Sequence, residues 1–115
     1  MVLTVGLFQL ENLMLSSARF HLLDLRLQPM VLPSARVQAC LNTAQVVQAH
    51  FLKEHLKNFK VGTHEPLILV CEDGRLSLSK AEELQKKGFE QVYVVEGGTD
   101  GLLREADDSS SGNSM

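Results

Sequence analysis

Residues 67–83 read LILVCEDGRLSLSKAEE and place a thiol between two kinds of secondary structure. The apolar run before Cys71 is typical of a buried strand, and the residues after Gly74 are typical of a helix. Cys71 is therefore expected where the strand ends and the helix begins. Free backbone N–H groups and the helix dipole converge at such a point and favour a thiolate over a thiol. The pattern makes Cys71 a candidate nucleophile.

The residues of the polar turn after Cys71 have opposing effects on the ionisation of the thiol and on the binding of anions. Gly74 would let the turn curl around the sulfur, because glycine tolerates backbone angles closed to other residues. Arg75 adds a positive charge that suits an oxyanion, whereas Glu72 and Asp73 would oppose ionisation of the thiol and repel anionic substrates. A cysteine at the end of a buried strand can also be a small packing residue. From these residues alone, both interpretations stay open.

The elements that must position Cys71 alternate between strands and helices. Strands are predicted at residues 3–6, 18–27, 66–70 and 91–95. Helices are predicted at 8–15, at 44–60 after Thr43 as N-cap, and at 77–88 after Ser77 as N-cap with Gly88 at the C-terminal end. Residues 97–101 are expected to be a glycine turn, and residues 35–42 suit either a strand end or a helical turn.

This alternation predicts an α/β fold, an open, mostly parallel sheet flanked by helices. Ligands of such sheets bind outside the carboxyl ends of the strands, which is where Cys71 is expected.

Composition narrows the class of protein. With 115 residues, the chain is expected to form one domain over residues 1–105, followed by a disordered tail over 106–115. A net charge of -3 gives no basic patch for nucleic acid or anionic lipid. The chain has no apolar run of about 20 residues and no clear signal peptide. Its 2 cysteines make no disulfide framework, so a cytoplasmic, reducing location is expected.

Several short motifs, in a fixed order, resemble one known family. They comprise Cys71, Gly74 and Ser77, then Gly88-Phe89, the strand Val92-Tyr93-Val94-Val95 and Gly97-Gly98, with LLDLR at 22–26 and VLPSA at 31–35 upstream. These resemble the rhodanese-like domain, whose pattern is Cys-x-x-Gly-x-Arg-Ser, a helix ending in Gly-Phe, a valine-rich strand and Gly-Gly. The resemblance covers roughly residues 3–104 and implies the rhodanese-like fold.

The resemblance implies a sulfurtransferase that needs no cofactor. Cys71 would be the catalytic residue and would carry a persulfide. The expected substrate-binding residues are those of the loop, namely Glu72, Asp73, Gly74, Arg75, Leu76 and Ser77. Backbone amides of residues 72–77 would stabilise the sulfur anion, with Arg75 as the candidate substrate contact. The implied partners are a small-molecule or protein sulfur donor, such as thiosulfate, and a thiol, cyanide or protein acceptor.

The chain also departs from the family pattern. Leu76 stands where many members have arginine, Val31 replaces a histidine, Ser34 a glycine and Leu102 a tryptophan. Related phosphatases need His-Cys-x5-Arg, but Val70 precedes the cysteine here and Ser77 occupies the arginine position, so phosphate chemistry is not expected. A second hypothesis is therefore a catalytically weak rhodanese-fold module that binds a partner protein through its acidic loop.

Other residues that could take part in chemistry have simpler expected roles. Asp24 and Arg26 are expected to be structural, because a carboxylate at a strand end commonly binds neighbouring backbone amides. Cys40 is either a buried residue or a resolving thiol that would make Cys71 a redox sensor. The 4 histidines are scattered in the sequence, so no metal site is expected.

Overall fold

The computed structural model describes the backbone of residues 2–113 and the side chains of residues 2–107. The strands are β1 (Leu3–Val5), β2 (His21–Asp24), β3 (Gln45–Val46), β4 (Leu67–Val70) and β5 (Val92–Val95). The helices are α1 (Leu7–Leu15), α2 (Ala35–Leu41), α3 (Leu52–Asn58), α4 (Arg75–Lys86) and α5 (Gly98–Asn113), with a short 3-10 helix at Ala49–Phe51.

The strands form one five-stranded sheet in the order β1-β5-β4-β2-β3, and every pairing is parallel. This confirms the predicted α/β class. The apolar strand β4 is central, and it pairs with β2 so that Val70 lies opposite Asp24. The carboxyl ends of β2, β4 and β5 therefore meet at one edge of the sheet, and Cys71 follows β4 directly at that edge.

The strands are apolar on both sides, because helices cover both faces of the sheet. Alternate residues along β2 and β4 belong to two separate core clusters. Leu22, Ile68 and Val70 pack with buried residues of α1, α2 and α5. Leu23 and Leu69 pack on the other face with α3 and α4, and Cys71 belongs to this second cluster. The central strand therefore connects the nucleophile candidate to both halves of the core.

The prediction of one long helix over residues 44–60 is wrong. Gln45 and Val46 instead form β3 beside β2, the 3-10 helix follows, and α3 begins only at Leu52. Pairing with β2 gives hydrogen-bond partners to the backbone of Gln45 and Val46, and the helical spacing of apolar residues in the sequence carries no information about this long-range pairing. Thr43 is not an N-cap, since its hydroxyl donates to the carbonyl of Cys40 at 3.1 Å.

The structure decides the segment at 35–42, which the sequence left open between a strand end and a helical turn. It is the helix α2, whose N-cap Ser34 accepts a hydrogen bond from the Val37 amide at 3.3 Å. Other boundaries differ from the sequence prediction, since the strand predicted at 18–27 covers only His21–Asp24. The N-cap of α4 is Gly74, so Ser77 lies inside that helix. The expected glycine turn is the start of α5, which begins at Gly98. Gly88 does follow α4, with φ +99°, as predicted for a residue that ends a helix.

The predicted boundary between residues 105 and 106 lies within α5. Ala106 is buried and packs in the first core cluster, so the folded part extends beyond that boundary. Residues 114 and 115 lie outside the described part, and disorder at the C-terminus stays a prediction. Within the described part, no helix has the length and apolar character needed to cross a bilayer.

Candidate active site

The Cys71 sulfur lies inside a loop whose backbone donates to it. Sγ accepts hydrogen bonds from the amide of Gly74 at 3.2 Å and from the amide of Ser77 at 3.4 Å. The residue is 1% exposed, and Ser77 is fully buried. Two backbone N–H groups therefore point at the sulfur, which is almost completely shielded from water.

Local backbone geometry explains why these amides converge. Gly74 has φ +94°, in the left-handed region that favours glycine, and it ends the turn by becoming the N-cap of α4. Ser77 is the third residue of α4. Its amide belongs to the first turn of the helix, where N–H groups lack partners within the helix. The sulfur takes one of these free donors.

A second helix supports the loop from the opposite side. The amide of Thr99 donates to the carbonyl of Cys71 at 2.8 Å, and the amide of Asp100 donates to that of Glu72 at 3.0 Å. Both donors lie in the first turn of α5. The loop is thus held between the N-termini of α4 and α5, so the direction of the Cys71 peptide is determined by both.

Gly98 makes this second contact possible. It has φ +63°, and a Cβ atom there would lie 2.3 Å from the carbonyl oxygen of Cys71. Gly74 in turn packs against the backbone of Gly97 and Gly98. Sequence reasoning treated the glycine pair as a turn and missed its role as support for the loop. The available signal was a double glycine one residue after a buried strand.

Among the described residues, no charged side chain of the loop forms a hydrogen bond with the Cys71 sulfur. Glu72 accepts from the amide of Leu27 at 3.1 Å through Oε2 and so joins the Cys71 loop to the segment after β2. The Arg75 side chain is 92% exposed, with Nε 3.6 Å from Oδ2 of Asp73. The amide of Arg75 also donates to Asp73, at 3.0 Å. Of the amides predicted to hold the sulfur, those of Gly74 and Ser77 do so.

The Ser77 hydroxyl is a buried polar group in the same loop. Among the described residues, its Oγ has no hydrogen-bond partner. An N-cap role was predicted for this side chain, but the helix starts earlier and Ser77 faces the interior. A buried donor without a partner is uncommon and carries a desolvation cost.

A groove lies beside the Cys71 loop and is lined in part by Leu76. We call it the sulfur-side groove. It has a volume of about 460 Å³. Its lining combines four apolar residues with two cations, a histidine and one amide, namely Leu25, Leu27, Ala49, Leu76, Arg26, Lys80, His50 and Gln48. Leu25 and Leu76 also pack in the core cluster that contains Cys71. The groove is thus connected to the Cys71 loop through Leu76, which belongs to that loop.

Asp24 and Arg26 form a buried ion pair at the end of β2. Arg26 Nη2 lies 2.9 Å from Asp24 Oδ2, and Nε donates to the same carboxylate. The Asp24 carboxylate also accepts from the backbone amide of Arg26, while Nη1 donates to the carbonyl of Met30 at 2.9 Å. The pair binds backbone on both sides of the segment that carries Leu27. These contacts suit the structural role predicted for both residues.

Cys40 lies on the other face of the sheet from Cys71. It packs in the first core cluster, from α2, and both thiols are free and buried. Burial raises the pKa of the Cys40 thiol, and the negative charge of Glu11 raises it further. The sheet lies between the two sulfurs, which argues against the resolving role considered for Cys40. Within the described residues, no group of three His, Cys, Asp or Glu side chains is placed to hold a metal ion.

Comparison with known proteins agrees with this architecture. The family model of the rhodanese-like domain matches residues 9–105, most of the chain. The chain belongs to the rhodanese-like family. This confirms the resemblance and places Cys71 at the end of the central strand of a rhodanese-like sheet.

Individual relatives are more distant. A protein named thiosulfate sulfurtransferase GlpE, from Actinobacillus pleuropneumoniae, is 39% identical over 57 residues, which are 48% of this chain and 53% of the relative. The chain thus spans about half the length of the curated relatives that it matches. A rhodanese homologue from Thermus thermophilus is similar in structure, with a TM-score of 0.59 and 26% identity over 86% of this chain and 99% of the other. A rhodanese-like domain protein from Staphylococcus aureus has a TM-score of 0.66 and 20% identity over 88% and 91%, which supports the fold.

Because Gly98 lies directly against the Cys71 carbonyl, one added methyl group at position 98 should greatly reduce the stability of the fold. Gly98→Ala should lower the free energy of unfolding by more than about 2 kcal/mol, because the new Cβ collides with the Cys71 carbonyl and the φ angle is strained. Gly88→Ala is the matched control, since Gly88 also has a positive φ but open space around it. It should cost about 1 kcal/mol. Urea denaturation measures both, and equal losses would contradict the contact.

The two thiols should also differ in reactivity. Cys71 should react with iodoacetamide at neutral pH at least about ten-fold faster than Cys40, because amide dipoles stabilise its thiolate. The raised pKa of Cys40 keeps that thiol protonated until the pH rises well above neutral. Exposure does not separate them, since both are almost fully buried. Peptide mapping after timed labelling measures the two rates, and faster labelling of Cys40 would show that Cys71 is not activated.

Proposed function

We propose that the chain is a rhodanese-type sulfurtransferase in which Cys71 carries a persulfide. The observation that carries the proposal is the pair of hydrogen bonds from Gly74 and Ser77 to the Cys71 sulfur. These donors can stabilise a thiolate before reaction and a terminal sulfur anion afterwards, without a metal or an added base. The sulfurtransferase name of the 39% identical relative supports the same class of reaction.

The proposed reaction has two displacement steps. The Cys71 thiolate attacks the outer sulfur of a donor such as thiosulfate, and a new S–S bond forms. The S–S bond of the donor breaks, and sulfite leaves with the bonding electron pair. A thiol, cyanide or a protein acceptor then attacks the terminal sulfur of the persulfide. The Cys71 thiolate is released, and no external oxidant or reductant is consumed.

The charges near the loop bear on the choice of donor. Arg75 is paired with Asp73 and points into solvent, so it is not preformed as a clamp for an anionic donor. Lys80 of the sulfur-side groove is an alternative cation on the same side as Leu76, and it is itself bound to Glu83 at 3.2 Å. A donor that enters through this groove would contact apolar side chains as well as this lysine. These features favour a thiol-bound persulfide over free thiosulfate as the better donor.

The interaction-module hypothesis also has a specific observation in its favour. Cys71 is 1% exposed, and Glu72 binds the Leu27 amide, so the loop is closed over the sulfur. A module that kept the cysteine for packing would have the same closed loop. The acidic side chains of Glu72 and Asp73 would then be its contact surface for a partner protein.

Intact mass separates the two functions. After incubation with thiosulfate, or with glutathione persulfide as a second donor, the wild-type protein should gain one sulfur atom, which cyanide removes. Cys71→Ser should gain none, whereas Cys40→Ser should behave like the wild type, because Cys40 lies on the other face of the sheet. If neither donor loads the protein while Cys71 remains reduced, the binding module is the better description.

The negative charge of Asp73 should lower the rate at which the protein reacts with thiosulfate. Asp73→Asn should raise kcat/KM for thiosulfate several-fold at low ionic strength, because it removes a negative charge and releases Arg75. The asparagine oxygen can still accept the amide of Arg75, so the turn is preserved. Glu82→Gln, an exposed residue of α4, is the control for net charge. An equal increase in both variants would exclude a local effect of Asp73.

A further inference from the structure

A second cavity lies between α3 and α4, and we call it the lysine cleft. It has a volume of about 230 Å³. Four apolar residues and three lysines line it, namely Leu56, Val61, Leu84, Phe89, Lys53, Lys57 and Lys87. Lys87 directly follows α4, whereas Ser77 lies in its first turn. At about 1.5 Å per helical residue, Lys87 is roughly 15 Å from Ser77 along the axis, so the cleft is separate from the sulfur site.

The cations of the lysine cleft are crowded and not neutralised. A side-chain hydrogen bond with Lys53 lowers the pKa of Lys87, since such a bond requires one of the two amines to be neutral, and the charges of Lys53 and Lys80 lower it further. Glu83 acts in the opposite direction, but its carboxylate is bound to Lys80 at 3.2 Å. Within the described residues, no carboxylate forms an ion pair with Lys53, Lys57 or Lys87. The chain as a whole is acidic, with a net charge of -3, so this local surplus is not a general property of the surface.

Helix electrostatics do not explain the whole cluster. A lysine just after the C-terminus of α4 is favoured by the helix dipole, so Lys87 alone would need no further cause. Lys53 is different, because the 3-10 helix runs directly into α3 and Lys53 lies in the middle of that helical stretch, where no helix end favours a cation. The amines of Lys53 and Lys87 therefore meet although only Lys87 is favoured by a helix end, and a positive charge on Lys53 opposes one on Lys87. A bound anion would relieve this repulsion.

We propose that the lysine cleft binds a phosphate monoester whose apolar, ring-sized body lies on its floor. A phosphate monoester carries close to two negative charges at neutral pH and offers three acceptor oxygens, which suits several ammonium groups approaching from different directions. Leu84 is buried and Phe89 is partly buried in the core, so they form a fixed apolar surface below the lysines. The volume admits one ring in addition to the phosphate. This site does not depend on the sulfur-transfer proposal.

Phenyl phosphate is the probe, with inorganic phosphate and phenol as its two halves. In an amide NMR titration at low salt, phenyl phosphate should shift the signals of Val61, Leu84 and Phe89. The three titration curves should give the same dissociation constant. Each half alone should bind at least about five-fold more weakly, and higher salt should weaken the phosphate compounds because the contacts are ionic. The Gly74 and Ser77 signals should stay unchanged. Equal affinity for inorganic phosphate would overturn the role of the apolar floor, and no saturable shifts at these residues would overturn the site.

Three lysine-to-methionine variants test which lysines bind the phosphate group. Lys53→Met and Lys87→Met keep the aliphatic stem and should each weaken phenyl phosphate binding at least about five-fold. Lys86→Met is the matched control, because this lysine lies on the same helix but lines a different cavity. It should leave the affinity within about two-fold. Thermal unfolding of each variant checks that the fold is retained. The same loss in Lys86→Met would mean that net charge, and not the cleft, attracts the phosphate.

Discussion

The position of the Cys71 peptide is the constraint on which the rest of the site depends. Its sulfur accepts two amides from the beginning of α4, and its carbonyl accepts an amide from the beginning of α5. Both helices follow neighbouring parallel strands, β4 and β5, so their N-termini reach the same edge of the sheet. One residue is thus fixed by two helices and the central strand together. These backbone hydrogen bonds hold the loop in place, although the buried Ser77 hydroxyl has no partner among the described residues.

This arrangement puts strict demands on a few backbone positions. Gly74 and Gly98 have positive φ angles, and the contact of Gly98 with the Cys71 carbonyl leaves no space for a side chain. The loop side chains are less constrained, since Glu72 and Asp73 make contacts that direct them away from the sulfur. A family that keeps this backbone can therefore change the charges around it, as the leucine at position 76 illustrates. The backbone and the side chains of the loop are thus under different constraints.

The sequence predicted the parts of the fold that have short-range signals. The strand before Cys71, the helix after it and the parallel α/β class follow from apolar runs and glycine positions, and the nucleophile candidate follows from the same stretch. The edge strand β3 could not be predicted, because its formation depends on pairing with β2 and not on its own residues. The true start of α4 was missed for a related reason. Serine is a common N-cap, but here the left-handed Gly74 begins the helix and Ser77 is turned inward by packing. The contact between Gly98 and Cys71 joins distant parts of the chain, so only the folded structure reveals it.

The central sheet also determines how a modified Cys71 can be restored. Cys40 is the chain's other thiol, and it is buried in the core on the opposite face. To reach Cys71, it would have to pass through a layer of paired strands, which would require breaking the centre of the fold. Cys40 is therefore not placed to reduce an oxidised Cys71 or to take sulfur from the proposed persulfide. Either reaction would need an acceptor that approaches from the Cys71 side of the sheet.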